Sequence, residues 1–259
     1  MRYAPLFRLC EVLKVHNLIK YGIFFVVVIF IFMLWDYIPM ITDLIIEIPF
    51  LVYYKFNDLF HKDNRFPIYG CRFYVGKQGS GKTMSMTNEL ETIRKKYPKC
   101  KIYTNYGYIY QNGELTDISQ LTDKSLYNGN DGVVFAIDEI QNEWSCMNSK
   151  NFPETMLSVI TQQRKNAVAI LCTSQVFGRV SKPIREQAFT VTECRTLFGR
   201  LTFNILYDGF EYSDSFDKSE NYKSNHRLLR QTSCFVQSTK LRKAYDSFRI
   251  IERMGEKKF

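Results

Sequence analysis

Histidine is scarce in this chain. The three residues His16, His61 and His226 are too far apart in sequence to suggest a metal cluster. The seven cysteines (Cys10, Cys71, Cys100, Cys146, Cys172, Cys194 and Cys234) include no C-x-x-C pair and no histidine at a zinc-ligand spacing. An odd, scattered set argues against a disulfide scaffold and for a reducing compartment. Cys71 and Cys172 fall inside apolar runs and are expected to fill core space. There is no internal repeat and no low-complexity run. Acidic residues are the minority charge, with 26 Asp and Glu against 35 Lys and Arg, a net charge of +9. That balance favours anionic partners, nucleic acid or acidic lipid, without choosing between them.

What is present centres on Gly76-Lys77-Gln78-Gly79-Ser80-Gly81-Lys82-Thr83, which spells G-x-x-x-x-G-K-T. Such a loop turns backbone N–H groups inward to cradle phosphate oxygens. Lys82 is expected to reach the β- and γ-phosphates and Thr83 to hold Mg²⁺. Cys71 to Val75 reads as a strand entering the loop, and a helix is predicted from Lys82 to about Lys96, its N-terminus aimed at the anion. The pattern predicts binding of ATP with Mg²⁺.

Two further apolar runs end in polar residues. Val133 to Ile137 reads as a buried parallel strand followed at once by Asp138-Glu139. A carboxylate at that end of an open α/β sheet lies beside the phosphate loop. Asp138 is the candidate metal-holding residue and Glu139 the candidate for polarising the attacking water. Ala167 to Cys172 leads into Thr173-Ser174-Gln175, with Gln175 the candidate γ-phosphate sensor and Ser174 the lesser choice. A helix cap is the alternative reading of that tip.

The N-terminal third has a different composition. Leu18 to Trp35 holds thirteen Leu, Ile, Phe or Val residues, worth about −5 kcal/mol for insertion, and predicts a transmembrane helix near the minimum length. A signal peptide is the alternative, but Trp35-Asp36-Tyr37 offers no small-residue cleavage site. Ile38 to Tyr54 carries Asp43 and Glu47, and Pro49 is expected to interrupt a long helix. Asp36, Asp43 and Glu47 share one helical face, so the stretch fits an interfacial amphipathic helix or a second span facing partner subunits. Basic residues flank the apolar block equally, so charge does not orient it.

Later segments are read more coarsely. Lys101 to Thr104 is a second strand, and Tyr106 to Gly132 a loop-rich insertion. Phe189 to Thr192 is a strand, and Leu201 to Tyr207 with Asp208-Gly209 suggests a hairpin and turn. From Lys240 onward seven basic and three acidic residues accumulate, either a solvated helix face or an anion-binding segment. The expected organisation is a basic segment 1–17, a membrane segment 18–56, a linker 57–69 with Arg65-Phe66-Pro67 at the junction, a P-loop ATPase domain 70–215, and a basic segment 216–259. The fold class is α/β: a P-loop NTPase with a mainly parallel sheet flanked by helices, preceded by a transmembrane or amphipathic helical segment.

These residues resemble the Zot-like (zonula occludens toxin-like) ATPases of filamentous phages, within the HerA/FtsK-type motor ATPases. The resemblance runs from about Cys71 to Thr192. It rests on the P-loop, on Ile102-Tyr103-Thr104-Asn105, on Ile137-Asp138-Glu139-Ile140-Gln141, and on Gln163-Arg164-Lys165 leading to Cys172-Thr173-Ser174-Gln175. It implies a ring-forming, membrane-associated ATPase that drives virion assembly and export, with phage coat or assembly proteins, and DNA, as candidate partners. It also implies an arginine supplied by a neighbouring subunit, for which Arg179 and Arg185, then Arg164, are candidates. Localisation follows as the host inner membrane with the ATPase domain facing the cytoplasm, where ATP is. Two features depart from neighbouring patterns. The apolar segment here precedes the ATPase domain rather than following it, and Gln78 stands where signature-lysine P-loops carry Gly. Rival readings are a genome-packaging or DNA-translocating motor, a nucleotide-switched membrane scaffold with little hydrolysis, and, most remotely, a P-loop kinase.

Overall fold

The computed structural model describes residues 20–28, 38–60, 65–147, 152–218 and 229–246. The chain divides into two units, Met1–Asp63 and Asn64–Phe259. In the first unit, residues 20–28 form helix α1 and Ile38–Phe60 form helix α2.

The expected transmembrane helix over 18–35 is not supported. Its described part is α1, about 13 Å long, against a hydrocarbon core of ~30 Å; the remainder lies outside the described residues. Helix α2 is long enough but carries Asp43, Glu47, Lys55 and Asp58. Among the described residues no helix is long and apolar enough to cross a membrane. Pro49 does not end α2 either, as it lies inside the helix. A proline removes one backbone hydrogen bond, which a long helix on both sides tolerates.

The second unit is built on an eight-stranded sheet: β1 (Gly70–Val75), β2 (Lys101–Thr104), β3 (Gly113–Glu114), β4 (Val133–Ile137), β5 (Val168–Ser174), β6 (Ala188–Leu197), β7 (Leu201–Asp208) and β8 (Leu229–Val236). Their order is β3-β2-β4-β5-β1-β6-β7-β8. The pairings from β3 to β6 are parallel, and β6–β7 and β7–β8 are antiparallel. Strand β5 therefore lies between β4 and β1. All β4 and β5 residues are buried, as expected of strands covered on both faces.

Alternation along these strands separates two cores. Phe73, Val75, Phe135, Ile137, Ile170 and Cys172 face a layer made by the Ile118–Thr122 turn, α4 (Glu154–Thr161), which the one-turn α5 (Gln163–Asn166) follows, α6 (Lys182–Arg185) and α7 (Gly209–Lys218). Tyr74, Val134, Ala136, Ala169 and Leu171 face α3 (Lys82–Lys96) through Met86, Leu90 and Ile93. Helix α3 ends on Arg94, Lys95 and Lys96, cations that suit the negative end of a helix.

The hairpin differs from the sequence reading. Its turn is Phe198-Gly199-Arg200, because β6 and β7 pair up to Leu197 and Leu201. Asp208-Gly209 instead starts α7, where Asp208 Oδ1 accepts the N–H groups of Phe210 and Glu211. The sheet also continues beyond residue 215, since β8 pairs with β7 along its length. After β8 the chain forms the single turn α8 (Thr239–Arg242).

Phe135 is fully buried and stacks on Tyr103 at 5.7 Å between ring centroids. Phe135→Ala is expected to destabilise the second unit by ~3–5 kcal/mol, read as a lower denaturant midpoint.

Candidate nucleotide site at the ends of the parallel strands

The loop Gly76–Thr83 joins β1 to α3 at the carboxyl end of the sheet. Two of its glycines are dictated by space as well as by backbone. Gly76 has φ 149°, and a Cβ there would lie 2.6 Å from Ser80 Oγ and 2.8 Å from the Cys194 carbonyl. Gly81 has φ 90°, and a Cβ would strike Thr196 Oγ1. Gly81 is also the N-cap of α3 and supplies no side-chain cap. The first N–H groups of the helix are thus left for an anion. Ser80 Oγ is enclosed and makes no hydrogen bond among the described residues. Lys82 is buried, with Nζ 3.3 Å from the Lys77 carbonyl and 3.7 Å from Glu139 Oε1. Lys77 and Gln78 form the outer bend, which Ser80 N closes by donating to the Lys77 carbonyl at 3.1 Å.

Asp138 is the hub of the site. Its Oδ1 accepts the Thr83 hydroxyl at 2.9 Å and the Thr173 hydroxyl at 2.5 Å. Its backbone is held from the other side by Asn105, whose Oδ1 accepts Asp138 N–H at 2.7 Å and whose Nδ2 donates to the Asp138 carbonyl at 3.1 Å. Glu139 follows in the left-handed region, φ 53°, a conformation that costs a non-glycine residue about 1–2 kcal/mol. Its N–H donates to Thr173 Oγ1 at 2.8 Å, and its Oε2 accepts from Gln141 Nε2. That turn presents the Glu139 carboxylate to Lys82.

Thr83 Oγ1 and Asp138 are hard oxygen donors at one point, a set that fits Mg²⁺, which takes one or two protein oxygens and completes its shell with phosphate and water. A cleft of about 360 Å³ opens along the loop, lined by Gly79, Gly81, Lys82 and Thr83 on one side and by Gly199 and Arg242 on the other.

No protein-family model and no curated protein matches the chain. Solved structures with a similar chain course do exist. The chain is similar to the N-terminal domain of zonular occludens toxin from Neisseria meningitidis. The identity is 14%, the TM-score 0.47, and the match covers 68% of this chain and 98% of that one. It is also similar to the genome packaging NTPase B204 from Sulfolobus turreted icosahedral virus 2 in complex with ATP-gammaS, at 11% identity and a TM-score of 0.44, covering 55% and 93%. The cytoplasmic domain of the Thermomonospora curvata type VII secretion ATPase EccC matches at 9% identity and a TM-score of 0.42, covering 67% of this chain and 24% of that one. Likeness at this level concerns the course of the chain and says nothing of substrate or partner.

The structure brings Lys82, Thr83, Asp138 and Glu139 together. It does not bring Gln175 into the cluster. Gln175 is exposed, one residue past β5, and Ser174 turns its hydroxyl to the Val176 carbonyl at 2.9 Å. The β5 residue that meets the carboxylates is Thr173. The register explains it: Ile137 pairs with Cys172, so the next residue on each strand falls side by side. Thr173 was legible as the first polar residue after its apolar run, just as Asp138 is after its own. Asn105 and Gln141 were visible only as parts of a resemblance, without roles.

The candidate arginines separate. Arg164 lies over the Tyr69 ring at 5.7 Å, at the start of β1 and so at the edge of the sheet opposite the phosphate loop. Arg185 is buried, 5.8 Å from the Phe177 ring centroid. Arg179 is exposed in the short turn after β5, at the same end of the sheet as the loop.

Burial raises the Asp138 carboxyl above the ordinary range. The Thr173 and Thr83 hydroxyls and Lys82 oppose the rise, and Glu139 adds to it. A raised carboxyl binds its proton more tightly in the folded state, so stability falls as pH climbs from the ordinary carboxylate range through the raised value. Asp138→Asn in the nucleotide-free protein is therefore expected to raise Tm at pH 8. About 2–4 °C is the shift that ~1 kcal/mol gives in a chain of this size, and the gain shrinks as pH approaches ~4. An unchanged Tm at pH 8 would mean that the two hydroxyls fully offset the burial.

Proposed function

We propose that this chain is an ATPase that binds MgATP at Gly76–Thr83 and couples hydrolysis to mechanical work in virion assembly and export. The observation that carries the ATPase reading is the 3.7 Å approach of Lys82 Nζ to Glu139 Oε1, beside the Thr83–Asp138 hydrogen bond of 2.9 Å. A phosphate-binding lysine and a second carboxylate thus face the same small volume.

The chemistry follows from these neighbours. The uncapped amides of α3 and the loop amides bind phosphate oxygens. Lys82 exchanges Glu139 for the terminal phosphate, because a phosphate carries more charge than one carboxylate. Glu139, released but still tethered to Gln141, then orients and polarises a water molecule for in-line attack. Thr83 and Asp138 would hold Mg²⁺, which when bound offsets charge on the β- and γ-phosphate oxygens. Thr173 holds both Asp138 and the Glu139 amide, so it keeps the two carboxylates in fixed relation. Arg179 is the leading candidate for an arginine offered to a neighbouring subunit of a ring.

Membrane anchoring on the cytoplasmic side belongs to this proposal. Its support is the exposed apolar surface of the first unit, Ile23 to Val28 on α1 and Leu44, Ile45, Leu51 and Val52 among others on α2. The acidic residues Asp43 and Glu47 suit a helix lying in the interface, with its apolar side immersed and its acidic side wet. A second reading, a motor moving DNA, is favoured by the net charge of +9.

Glu139→Gln is expected to keep MgATP binding while lowering turnover by ~10²–10⁴-fold, the usual worth of a positioned general base. Lys82→Ala is expected to lose both. Unaltered turnover in Glu139→Gln would sink the assigned role. Stimulation of the wild type by double-stranded DNA, measured in parallel, would favour the motor on DNA; indifference to DNA would favour work on virion proteins.

A further inference from the structure

After β8 the chain from Gln237 to Tyr245 returns to the phosphate loop, and a continuous set of hydrogen bonds ties it there. Thr196 Oγ1, on β6, donates to the Ser80 carbonyl of the loop at 2.9 Å. Gln237, buried just beyond β8, donates through Nε2 to Thr202 Oγ1 at 2.9 Å and to Thr196 Oγ1 at 3.4 Å. Its backbone exchanges hydrogen bonds with Arg200: Gln237 N–H donates to the Arg200 carbonyl at 2.8 Å, and Arg200 Nη1 donates to the Gln237 carbonyl at 3.1 Å. Gln237 Oε1 then accepts from Arg242 Nε at 3.1 Å and Nη2 at 2.8 Å, and the Gly199 carbonyl accepts from Nη2 at 2.5 Å.

Arg242 is thus gripped along one edge by neutral acceptors. Among the described residues no carboxylate pairs with it, and its Nη1 donates to nothing. A guanidinium immobilised with no counter-charge among the described residues, on the wall of a cleft whose other wall is the Gly76–Thr83 loop, is built to meet an anion. Leu241 and Ala244, both buried, anchor the segment to the core. Tyr245 is fixed by its hydroxyl at 3.4 Å from Met84 Sδ and by its ring, edge-on to Tyr106 at 5.5 Å.

The sheet order decides which part of a nucleotide would arrive there. Asp138 and Glu139 come from β4 and Thr173 from β5, on one side of β1. The Gly199 turn and Arg242 come from β6–β7 and from beyond β8, on the other side. The terminal phosphate belongs with the carboxylates, so the phosphate chain runs across the loop and its nucleoside end leaves toward Arg242. We propose that Arg242 binds the α-phosphate of the nucleotide held by the P-loop of the same chain, and that Tyr245 floors the cleft under the sugar. This rests on nucleotide binding at Gly76–Thr83.

The test is calorimetric titration of the full chain with MgATP and with MgADP, for the wild type, Arg242→Ala and Arg242→Lys, with a thermal melt of each nucleotide-free protein. The expected result is a loss of about tenfold or more in affinity for Arg242→Ala, equal for ATP and ADP, in a protein that still folds but melts at a lower temperature, since Gln237 Oε1 and the Gly199 carbonyl lose their donors. Arg242→Lys should fall between, keeping the charge and losing the planar fork. It supplies the same ATP-to-ADP comparison if the alanine variant does not fold. A loss confined to ATP would place Arg242 on the γ-phosphate and overturn the assignment. Unchanged affinity for both nucleotides would overturn it too, while leaving nucleotide binding intact. Failure of the wild type to bind either nucleotide would remove both proposals together.

Discussion

The buried carboxylate of Asp138 joins the ends of four neighbouring strands. Asn105 after β2 clamps its backbone, Thr173 at the end of β5 and Thr83 after β1 share its Oδ1, and Asp138 itself follows β4. Parallel strands end together on one edge of a sheet, so each contributes a polar residue to the same place. A carboxylate removed from water must be hydrogen-bonded or lose stability, and this one takes both its hydroxyl partners from neighbouring strands' ends, Thr83 after β1 and Thr173 on β5. The relative placement of the loop, Thr83 and Glu139 therefore depends on a group, Asp138, whose burial is itself unfavourable. Strain at Glu139 is of the same kind: a left-handed residue held by its neighbours, its amide on Thr173 and its carboxylate on Gln141.

The two halves of the sheet divide the labour. The parallel half, β2-β4-β5-β1, carries the acidic and hydroxyl groups. The antiparallel half, β6-β7-β8, supports the loop from the other side through Thr196 and brings a cation to its rim through Gln237. Phe198 at the hairpin tip is the counterpart of Glu139, left-handed at φ 49° and 95% exposed. The tight three-residue turn it starts sets the Gly199 carbonyl against Arg242. A single hydrogen-bonded path thus runs from the phosphate loop to the C-terminal segment, and both ends of the cleft are positioned by one rigid sheet.

The first unit obeys a different constraint. Its apolar residues on α1 and α2 are exposed rather than packed, yet Asp43, Glu47, Lys55 and Asp58 recur within α2 at intervals too short for an uncharged span. Charge, not length, sets what that helix can do, and Pro49 in its interior does not change this.

Much of the second unit was legible locally. Strands β2 and β4 and helix α3 fall where apolar runs, glycines and the G-K-T step put them, because a buried strand and a loop-to-helix junction are encoded by adjacent residues. Lys82, Thr83, Asp138 and Glu139 were legible for the same reason: each stands at a fixed step from a strand end. What the sequence by itself could not determine are the relations across strands. Thr173 rather than Gln175 meets the carboxylates because of inter-strand register. The hairpin turns at 198–200 because β6 and β7 pair up to Leu197 and Leu201. Arg242 reaches the phosphate loop, 160 residues after Lys82, only because β8 adds to the antiparallel edge and returns the chain to α3. Local pattern specifies elements through their own periodicity. Which side chains share a cleft is decided by strand order, and strand order comes from long-range pairing that no single segment contains.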